Sequence, residues 1–199
     1  MPRRYQMTAR KDAFQETRQR IVGAAIALHG GRGIVATNWE EIAEQAGVST
    51  ATVYRHFPSL EELVPACART AFEAGARLPT PEEAAAAFAT LPYSRQRLAH
   101  LIRESCRCYE LGSDWLAAAR REARAVPALD RAVRKQQAAL RVLIRAATRG
   151  VPTDRSTLHV LEALIDFPFW KALRDTGMAR ENVPLVIADL VQSRLTKRR

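Results

Sequence analysis

The sequence predicts an all-helical fold in which a small three-helix head precedes a larger helical bundle. Apolar residues recur at spacings of three and four along most of the 199 residues, as they do on one face of a helix. The alternation of apolar and polar residues that marks a strand is almost absent. With 47% hydrophobic residues, the chain can fill a core. We place the head at residues 1–58 and the bundle at residues 59–199.

The first helix is predicted to run roughly from Ala13 to Leu28 and to end at Gly30. Its inward stripe consists of apolar residues at helical spacing: Ile21, Ala24, Ala25 and Leu28. Ahead of it, four basic residues cluster with no acid among them: Arg3, Arg4, Arg10 and Lys11. The first eleven residues are interpreted as a flexible arm that lies on a DNA backbone or enters a minor groove, or else as a disordered tail.

Two short helices joined by a tight turn are predicted between residues 37 and 57. Asn38 and Glu41 have the spacing of a capping box, and the pair one residue earlier shares it, so the helix starts at one of two positions. Gly47 can turn the chain at a positive φ angle without strain. Ser49 follows the turn and can cap the second helix.

The second short helix is predicted to run from Thr50 to Phe57. Val53 and Phe57 point to the same side and would anchor the helix to the core. The other sides carry small, hydroxylated or polar side chains: Thr50, Ala51, Thr52, Tyr54, Arg55 and His56. Short side chains allow a close approach to base edges, and tyrosine, arginine and histidine can reach phosphates. The pattern is typical of a helix that lies in a major groove of DNA.

This stretch resembles the helix-turn-helix of the TetR family of transcriptional repressors, over roughly the first third of the chain. The matching residues are Glu41-Ile42-Ala43, Ala46-Gly47-Val48-Ser49, Thr52-Val53-Tyr54-Arg55-His56-Phe57 and Glu61-Glu62-Leu63. The resemblance implies that residues 50–52 lie near base edges and that Tyr54 and His56 contact phosphates. Trp39 departs from the family pattern, which often has a small β-branched or aliphatic residue there. Leu60 also departs, because the family often has a phosphate-binding lysine at that position.

The basic arm, the two caps and the second helix together define the predicted DNA-binding surface. Its residues are Arg3, Arg4, Asn38, Ser49, Thr50, Ala51, Thr52, Tyr54, Arg55 and His56.

The remaining helices are placed by their apolar periodicity and by the glycines and prolines between them. A helix opened by Pro58 and Ser59 should end near Leu78 and link the head to the rest. The later helices are predicted at about 82–90, 94–111, 114–125, 128–148, 155–176 and 181–195. Pro168 should kink the helix at 155–176.

The bundle is expected to contain a dimer interface and an effector pocket. In the resembled family the last two long helices of each subunit form a four-helix dimer interface. The broad apolar stripe here agrees with one and favours a dimer, although such a stripe could also be core. The expected interface residues are Leu158, Leu161, Ile165, Ile187, Leu190 and Val191. The expected pocket residues, each of which could instead be ordinary core or solvated surface, are Tyr109, Trp115, Gln136, Leu140, Phe167 and Trp170.

The formal net charge of +10 favours a polyanionic partner, although the head itself is not the most basic region. Residues 1–60 hold 8 basic and 5 acidic residues, and the remainder holds 23 and 16.

Cys106 and Cys108 share one helix with side chains about 200° apart, so they do not suggest a metal site. With no secretory segment and no apolar run of transmembrane length, we expect a cytoplasmic protein without membrane contact.

No pairing of nucleophile and base is evident, so an enzyme is not expected, and neither a cofactor nor a metal is predicted. The sequence predicts a dimeric regulator, most readily a repressor, that reads a pseudo-palindromic site in double-stranded DNA and responds to a small molecule. Two alternatives stay open. One is a constitutive or architectural DNA-binding protein without an effector, and the other is an all-helical enzyme whose catalytic residues are not recognisable.

Overall fold

The computed structural model describes the backbone of residues 3–72 and 79–196 and, of the side chains, those of residues 10–71 and 79–196. Every regular element in this part of the chain is a helix, which confirms the all-helical prediction. The helices are α1 (Arg3–Arg32), α2 (Trp39–Ala46), α3 (Thr50–His56), α4 (Leu60–Phe72), α5 (Pro81–Ala86), α6 (Ser94–Glu122), α7 (Pro127–Ala147), α8 (Arg155–Ile165), α9 (Phe167–Asp175) and α10 (Val183–Thr196). No helix in the described residues is long and apolar enough to cross a bilayer.

Several helix boundaries differ from the prediction, and three of the differences change how the chain is divided into helices. Helix α1 begins at Arg3, so the segment expected to be a flexible arm is helical; nothing between Arg3 and the first glycine, Gly23, interrupts a helix. Helix α6 runs through Gly112, where a break was predicted, although that residue has non-helical angles (φ −111°, ψ 15°). The kink expected at Pro168 is a full break two residues earlier, because the side chain of Asp166 accepts a hydrogen bond from the Phe167 amide and caps α9.

The chain forms two compact units, and each is assembled from two separate stretches of sequence. Unit 1 comprises Met1–Ala74 and Asp114–Val133, and unit 2 comprises Gly75–Ser113 and Arg134–Arg199. The division at residue 58 remains a prediction about function, whereas these units describe packing.

Unit 1 holds one hydrophobic core, to which both of its stretches contribute. Helices α1, α2 and α4 pack together, and α3 packs on α2. The residues at the centre of this core are almost fully buried: Ile21, Ala25, Ile34, Ile42, Val53, Phe57, Leu63, Trp115, Ala118, Ala119 and Leu129. The helix-turn-helix is therefore held from behind by α1 and by a segment more than fifty residues further along the chain.

Glu122 ties this distant segment to the loop between α1 and α2. Its Oε2 atom accepts hydrogen bonds from the backbone amides of Ile34 and Val35, each at 2.8 Å. Burial raises the pKa of Glu122, but these amides and the Arg121 guanidinium outweigh burial, so its pKa lies below the usual value. The loop that leads into α2 is thus fixed by a carboxylate whose ionised form is favoured.

His29 is an unusual component of the unit 1 interior. Its side chain is 0% exposed, and neither ring nitrogen has a hydrogen-bond partner among the described residues. Burial lowers its pKa from 6.5 to about 4, although the nearby Glu122 carboxylate raises it in part. The ring is therefore neutral at physiological pH.

In unit 2, helix α8 packs against α9 and α10. The buried positions on α8 and α10 are four residues apart, and those on α9, Phe167 and Trp170, are three apart. The buried positions on α10 are Val183, Ile187 and Val191. Arg97 closes one end of the unit by donating hydrogen bonds to the carbonyl oxygens of Leu91, Pro92, Ala147 and Arg149. These contacts satisfy carbonyls that follow or end the neighbouring helices, so Arg97 has a structural role.

Candidate nucleic-acid interface

Helix α2 starts with the capping box that its sequence indicates. The Asn38 side chain accepts a hydrogen bond from the Glu41 amide at 2.8 Å, and the Glu41 carboxylate accepts one from the Asn38 amide at 3.1 Å. This geometry selects Asn38, rather than Thr37, as the N-cap. The hydrogen bond from the Asn38 amide and the neighbouring Arg32 guanidinium lower the pKa of Glu41.

A left-handed glycine connects the two helices of the motif. Gly47 has φ 65° and ψ 41°, a conformation that costs other residues free energy, and the amide of Val48 donates to the carbonyl of Ala43 at 3.0 Å. Ser49 then caps α3, because its Oγ accepts a hydrogen bond from the Thr52 amide at 3.2 Å. The Ser49 and Thr52 hydroxyls also lie 2.9 Å apart.

Helix α3 has one buried face and one open face. Val53 and Phe57 are 0% exposed, as the sequence predicts. Ala51, Tyr54 and Arg55 are exposed on the other side. Thr50 and Thr52 are half-buried at the N-terminal turn. The structure therefore brings five of the predicted DNA-contacting side chains onto one short helix, with its small residues at the start.

The structure corrects the expected position of His56. Its side chain is only 4% exposed, and its ring lies 4.1 Å from the Phe14 ring, measured between centroids. Burial lowers the pKa of His56, and the nearby charges of Arg55 and Arg18 lower it further. His56 therefore joins α3 to α1, and its phosphate contact stays a prediction. The covering residue, Phe14, is 42 positions earlier in the chain, and no local pattern signals it.

The remaining predicted DNA-contacting residues differ in how far the structure describes them. Asn38 and Ser49 are exposed, but their side-chain oxygens already cap α2 and α3. The side chains of Arg3 and Arg4 lie outside the described residues. Trp39, which departs from the family pattern, packs on Tyr54 with their ring centroids 5.3 Å apart. An aromatic side chain at this position therefore supports one of the exposed residues of α3.

Arg18 on α1 is a residue of this region that the sequence reasoning missed. Its guanidinium donates a hydrogen bond to the carbonyl of His56 at 2.7 Å and lies 3.9 Å from the centroid of the Phe57 ring. A signal was available, because Arg18 stands three residues before the buried Ile21 and so lies at the edge of the inward face of α1.

In unit 2, three of the expected pocket residues pack together. The rings of Tyr109, Phe167 and Trp170 have centroids 5.5–5.8 Å apart, and all three side chains are buried. The Tyr109 hydroxyl donates to the carbonyl of Ile165 at 3.2 Å, and the Gln136 amide lies 3.4 Å from that hydroxyl. These aromatic side chains fill the space between them, so the cluster is closed in this structure.

A cavity of about 250 Å³ lies in unit 2, between α7 and α8. Leu140, an expected pocket residue, contributes to its wall, together with Gln137, Arg141, His159, Glu162, Ala163 and Asp166. Gln136 points instead to Tyr109 and Asp166. Trp115 belongs to the hydrophobic core of unit 1, which corrects its expected place among the pocket residues.

Most of the expected dimer residues are covered by their own chain. Leu161, Ile165, Ile187 and Val191 are at most 1% exposed inside unit 2, because α8 and α10 turn these faces toward each other or toward neighbouring helices. Leu158 is half-buried and Leu190 is 41% exposed. Four of the six expected interface residues are therefore already buried within this chain. Whether a dimer forms stays a prediction.

The N-terminal part of the chain matches a known family of proteins. Residues 21–67 match the family model described as bacterial regulatory proteins, tetR family. The chain is 33% identical over 101 residues to the HTH-type transcriptional regulator BetI of Rhizobium meliloti, covering 51% of this chain and 47% of that protein. It is 33% identical over 84 residues to the HTH-type transcriptional repressor KstR of Mycolicibacterium smegmatis, covering 42% and 40%. The chain thus spans less than half the length of these curated relatives.

Solved structures extend the likeness to nearly the whole chain. A transcriptional regulator from Rhodococcus sp. Rha1 superposes with a TM-score of 0.64 at 18% identity, covering 90% of this chain and 94% of that one. The multidrug binding protein EbrR, complexed with imidazole, gives a TM-score of 0.59 at 24% identity, covering 87% and 88%. At these identities the comparison shows a shared fold. Both curated relatives named above are regulators of transcription.

Proposed function

We propose that the chain is a transcriptional regulator of the TetR type, a ligand-responsive repressor that binds a pseudo-palindromic operator as a homodimer. The match of residues 21–67 to the tetR family model and the likeness to two curated regulators of transcription support this proposal. The observation that carries the proposal is the two-faced helix α3. Val53 and Phe57 hold it to the core, while Ala51, Tyr54 and Arg55 are exposed. A cytoplasmic location is part of this proposal, since chromosomal DNA would be its partner.

In this proposal the start of α3 reads base edges. Thr50 and Thr52 can donate or accept hydrogen bonds, and Ala51 can contact a thymine methyl group. Tyr54 and Arg55 are exposed further along the helix and reach phosphates, which positions the protein without reading sequence. Asn38 and Ser49 contribute indirectly, because their side chains fix the helix starts.

Homodimer formation follows from the symmetry of the proposed target. A pseudo-palindrome presents two half-sites about 34–36 Å apart, one helical turn of DNA, which suits a reader with two-fold symmetry. Two apolar side chains on α10 stay exposed in the isolated chain: Leu185 at 63% and Leu190 at 41%. Together with the half-buried Leu158, they are the side chains that we propose to be covered by the second subunit.

The proposed effector site is the cavity beside Leu140 in unit 2. A small molecule can shift the protein between two states only if it binds one of them more tightly. Two structural neighbours were solved with small ligands, the EbrR protein with imidazole and a protein from Saccharomonospora viridis with choline. These complexes support a ligand-binding role for the fold, and we extend that role to this chain as part of the proposal.

A second candidate function is DNA binding without an effector. It is favoured by the closed aromatic cluster of Tyr109, Phe167 and Trp170, whose rings contact one another and leave no room between them. A screen that measures melting temperature against small molecules separates the two candidates. A compound that raises the melting temperature and releases bound DNA supports the repressor with an effector. If every compound that releases bound DNA fails to bind the free protein, the result supports the second candidate.

The proposed function is tested by selecting bound duplexes from a random pool with the full chain. A pseudo-palindromic consensus with half-sites one turn apart is the expected result. Ala51→Leu should then weaken binding to the selected duplex by about 1–3 kcal/mol, and Arg55→Gln should weaken binding to selected and random duplexes alike. Recovery of duplexes without any consensus, or an Ala51→Leu variant that binds the selected duplex as tightly as the parent, would contradict the proposal.

A further inference from the structure

We propose that Arg18 on α1 is a positioning residue that sets the orientation of α3 and so determines how well the protein distinguishes its operator from other DNA. The inference rests on the proposed function, because it assumes that α3 reads bases. It concerns a residue outside the helix-turn-helix, on a helix that the sequence analysis treated only as support.

Three contacts from α1 converge on the C-terminal end of α3. The Arg18 Nη1 atom donates a hydrogen bond to the carbonyl oxygen of His56, the last residue of α3, at 2.7 Å. The Arg18 Cζ atom lies 3.9 Å from the centroid of the Phe57 ring, which is fully buried. The Phe14 ring, one helical turn before Arg18, lies 4.1 Å from the His56 ring. Side chains on one face of α1 therefore contact this end of α3 at the carbonyl of His56 and at the rings of His56 and Phe57.

A helix as short as α3 depends on such contacts for its direction. It has only seven residues, so few of its carbonyl groups find partners within the helix. Phe57 already has non-helical angles (φ −145°, ψ 87°), which leaves the His56 carbonyl without a following turn to accept from. The Arg18 guanidinium supplies the missing donor at this point.

The geometry of the contact calls for arginine rather than for a positive charge alone. A guanidinium is planar, so it can place its face on an aromatic ring while an N–H at its edge donates to a carbonyl. Lysine carries the same charge on a compact ammonium group, which lacks the flat face and the fixed fork of donors. Arg18→Lys therefore separates the shape of the side chain from its charge.

A small error in orientation is enough to affect base reading. From its end at His56 to Thr50, α3 extends roughly 9 Å at 1.5 Å per residue, so a tilt of about 10° displaces Thr50 by roughly 1.5 Å. Hydrogen bonds to base edges weaken steeply over such a displacement, because their donor–acceptor distances lie within a few tenths of an ångström of 2.9 Å. Phosphate attraction varies more gently with distance and changes little. Loss of the Arg18 contact is therefore expected to lower specificity more than overall affinity.

The experiment measures binding of the full chain to two labelled duplexes by fluorescence anisotropy at four salt concentrations. One duplex is selected from a random pool, and the other has the same length and base composition with a scrambled sequence. The variants are Arg18→Lys, Arg18→Met and Phe14→Leu. Arg69→Met is the control, since it removes one positive charge from an exposed position on α4 in the same unit. Melting temperatures are recorded for all of them.

We expect the variants to discriminate less between the selected and the scrambled duplex, while the dependence of affinity on salt concentration stays the same. Arg18→Lys and Arg18→Met should each lower the ratio of selected to scrambled affinity by about tenfold or more, equivalent to 1.4 kcal/mol or more. Phe14→Leu should lower it in the same direction by a smaller factor, and because Phe14 is 44% exposed this variant keeps the fold if the arginine variants do not. Arg69→Met should leave the ratio unchanged. The slope of log affinity against log salt on scrambled DNA should stay the same in Arg18→Met.

Two results overturn the proposal. If Arg18→Met weakens binding to both duplexes equally and reduces the slope of log affinity against log salt by about one, Arg18 contacts a phosphate directly. If the arginine variants lower the melting temperature and leave the affinity ratio unchanged, the role of Arg18 is only structural. Ala51→Leu, measured alongside, identifies which idea has failed. A ratio that falls in Ala51→Leu but not in the Arg18 variants contradicts this inference alone, whereas a ratio that falls in neither contradicts the proposed function as well.

Discussion

Replacing His29 with leucine should make the protein less sensitive to acid. The ring of His29 is fully buried, and neither nitrogen has a hydrogen-bond partner in the described part of the chain. Its pKa falls from 6.5 in the unfolded chain to about 4 in the folded protein because burial disfavours the charged ring. Leucine has a similar volume and no charge to bury, so it should be accommodated at neutral pH with a change in stability below about 1.5 kcal/mol.

The direction of the effect follows from which state binds the proton. Between pH 6.5 and pH 4 the unfolded chain is protonated at His29 and the folded protein is not, so stability falls as the pH falls. Each pKa unit corresponds to about 1.4 kcal/mol, so this residue accounts for a loss of about 3 kcal/mol once the pH has fallen through both values. Above pH 6.5 both states carry a neutral ring and the residue adds no pH dependence.

The assay is urea unfolding followed by circular dichroism at pH 7.5 and at pH 4.5, at one protein concentration. The free energy of unfolding should fall between these two values by about 2–3 kcal/mol less in His29→Leu than in the parent protein. His159→Gln, which removes an exposed histidine, is the control and should follow the parent. Parallel curves for the parent and His29→Leu would show that His29 is not buried as a neutral, unpaired ring, and the reasoning would be refuted.

Three further predictions concern the helix cap, the turn and the loop contact that hold the helix-turn-helix in place. Asn38→Ala removes one half of the capping box and should lower the free energy of unfolding by about 1 kcal/mol, checked by urea denaturation. Gly47→Ala should cost about 1–2 kcal/mol because its positive φ disfavours a β-carbon, although the nearest atom, Nη1 of Arg20 at 3.9 Å, would not clash with one; Gly150→Ala, also at positive φ, tests whether the cost is general. Glu122→Ala leaves two backbone amides without their acceptor, so the amide of Val35 should exchange with deuterium faster, whereas unchanged exchange would argue against the contact.

Local signals in the sequence were sufficient for the helix-turn-helix. The capping box at Asn38, the turn at Gly47 and the cap at Ser49 each depend on residues within four positions of one another, so their spacing could be recognised directly. Val53 and Phe57 share a helix face for the same reason. These predictions needed no information about the rest of the chain.

Predictions that depended on distant residues were less successful. His56 resembled a phosphate-binding side chain because Phe14, which covers it, comes from another helix. Trp115 resembled a pocket residue because no periodicity indicates that its helix contributes to the core of unit 1. The buried stripe of α10 was read as an interface, since an apolar face looks the same whether its own chain or a second one covers it.

The discontinuous assembly of unit 1 limits how this protein can be dissected. A truncated fragment that stops after α4 would lack Trp115, Ala118 and Leu129, and would leave their apolar neighbours in contact with water. Residues 1–58 could therefore be transferred to another protein only together with residues 114–133. During biosynthesis unit 1 should also stay incomplete until that later segment has emerged from the ribosome, so the helix-turn-helix is among its last parts to become rigid, even though its own residues are made early.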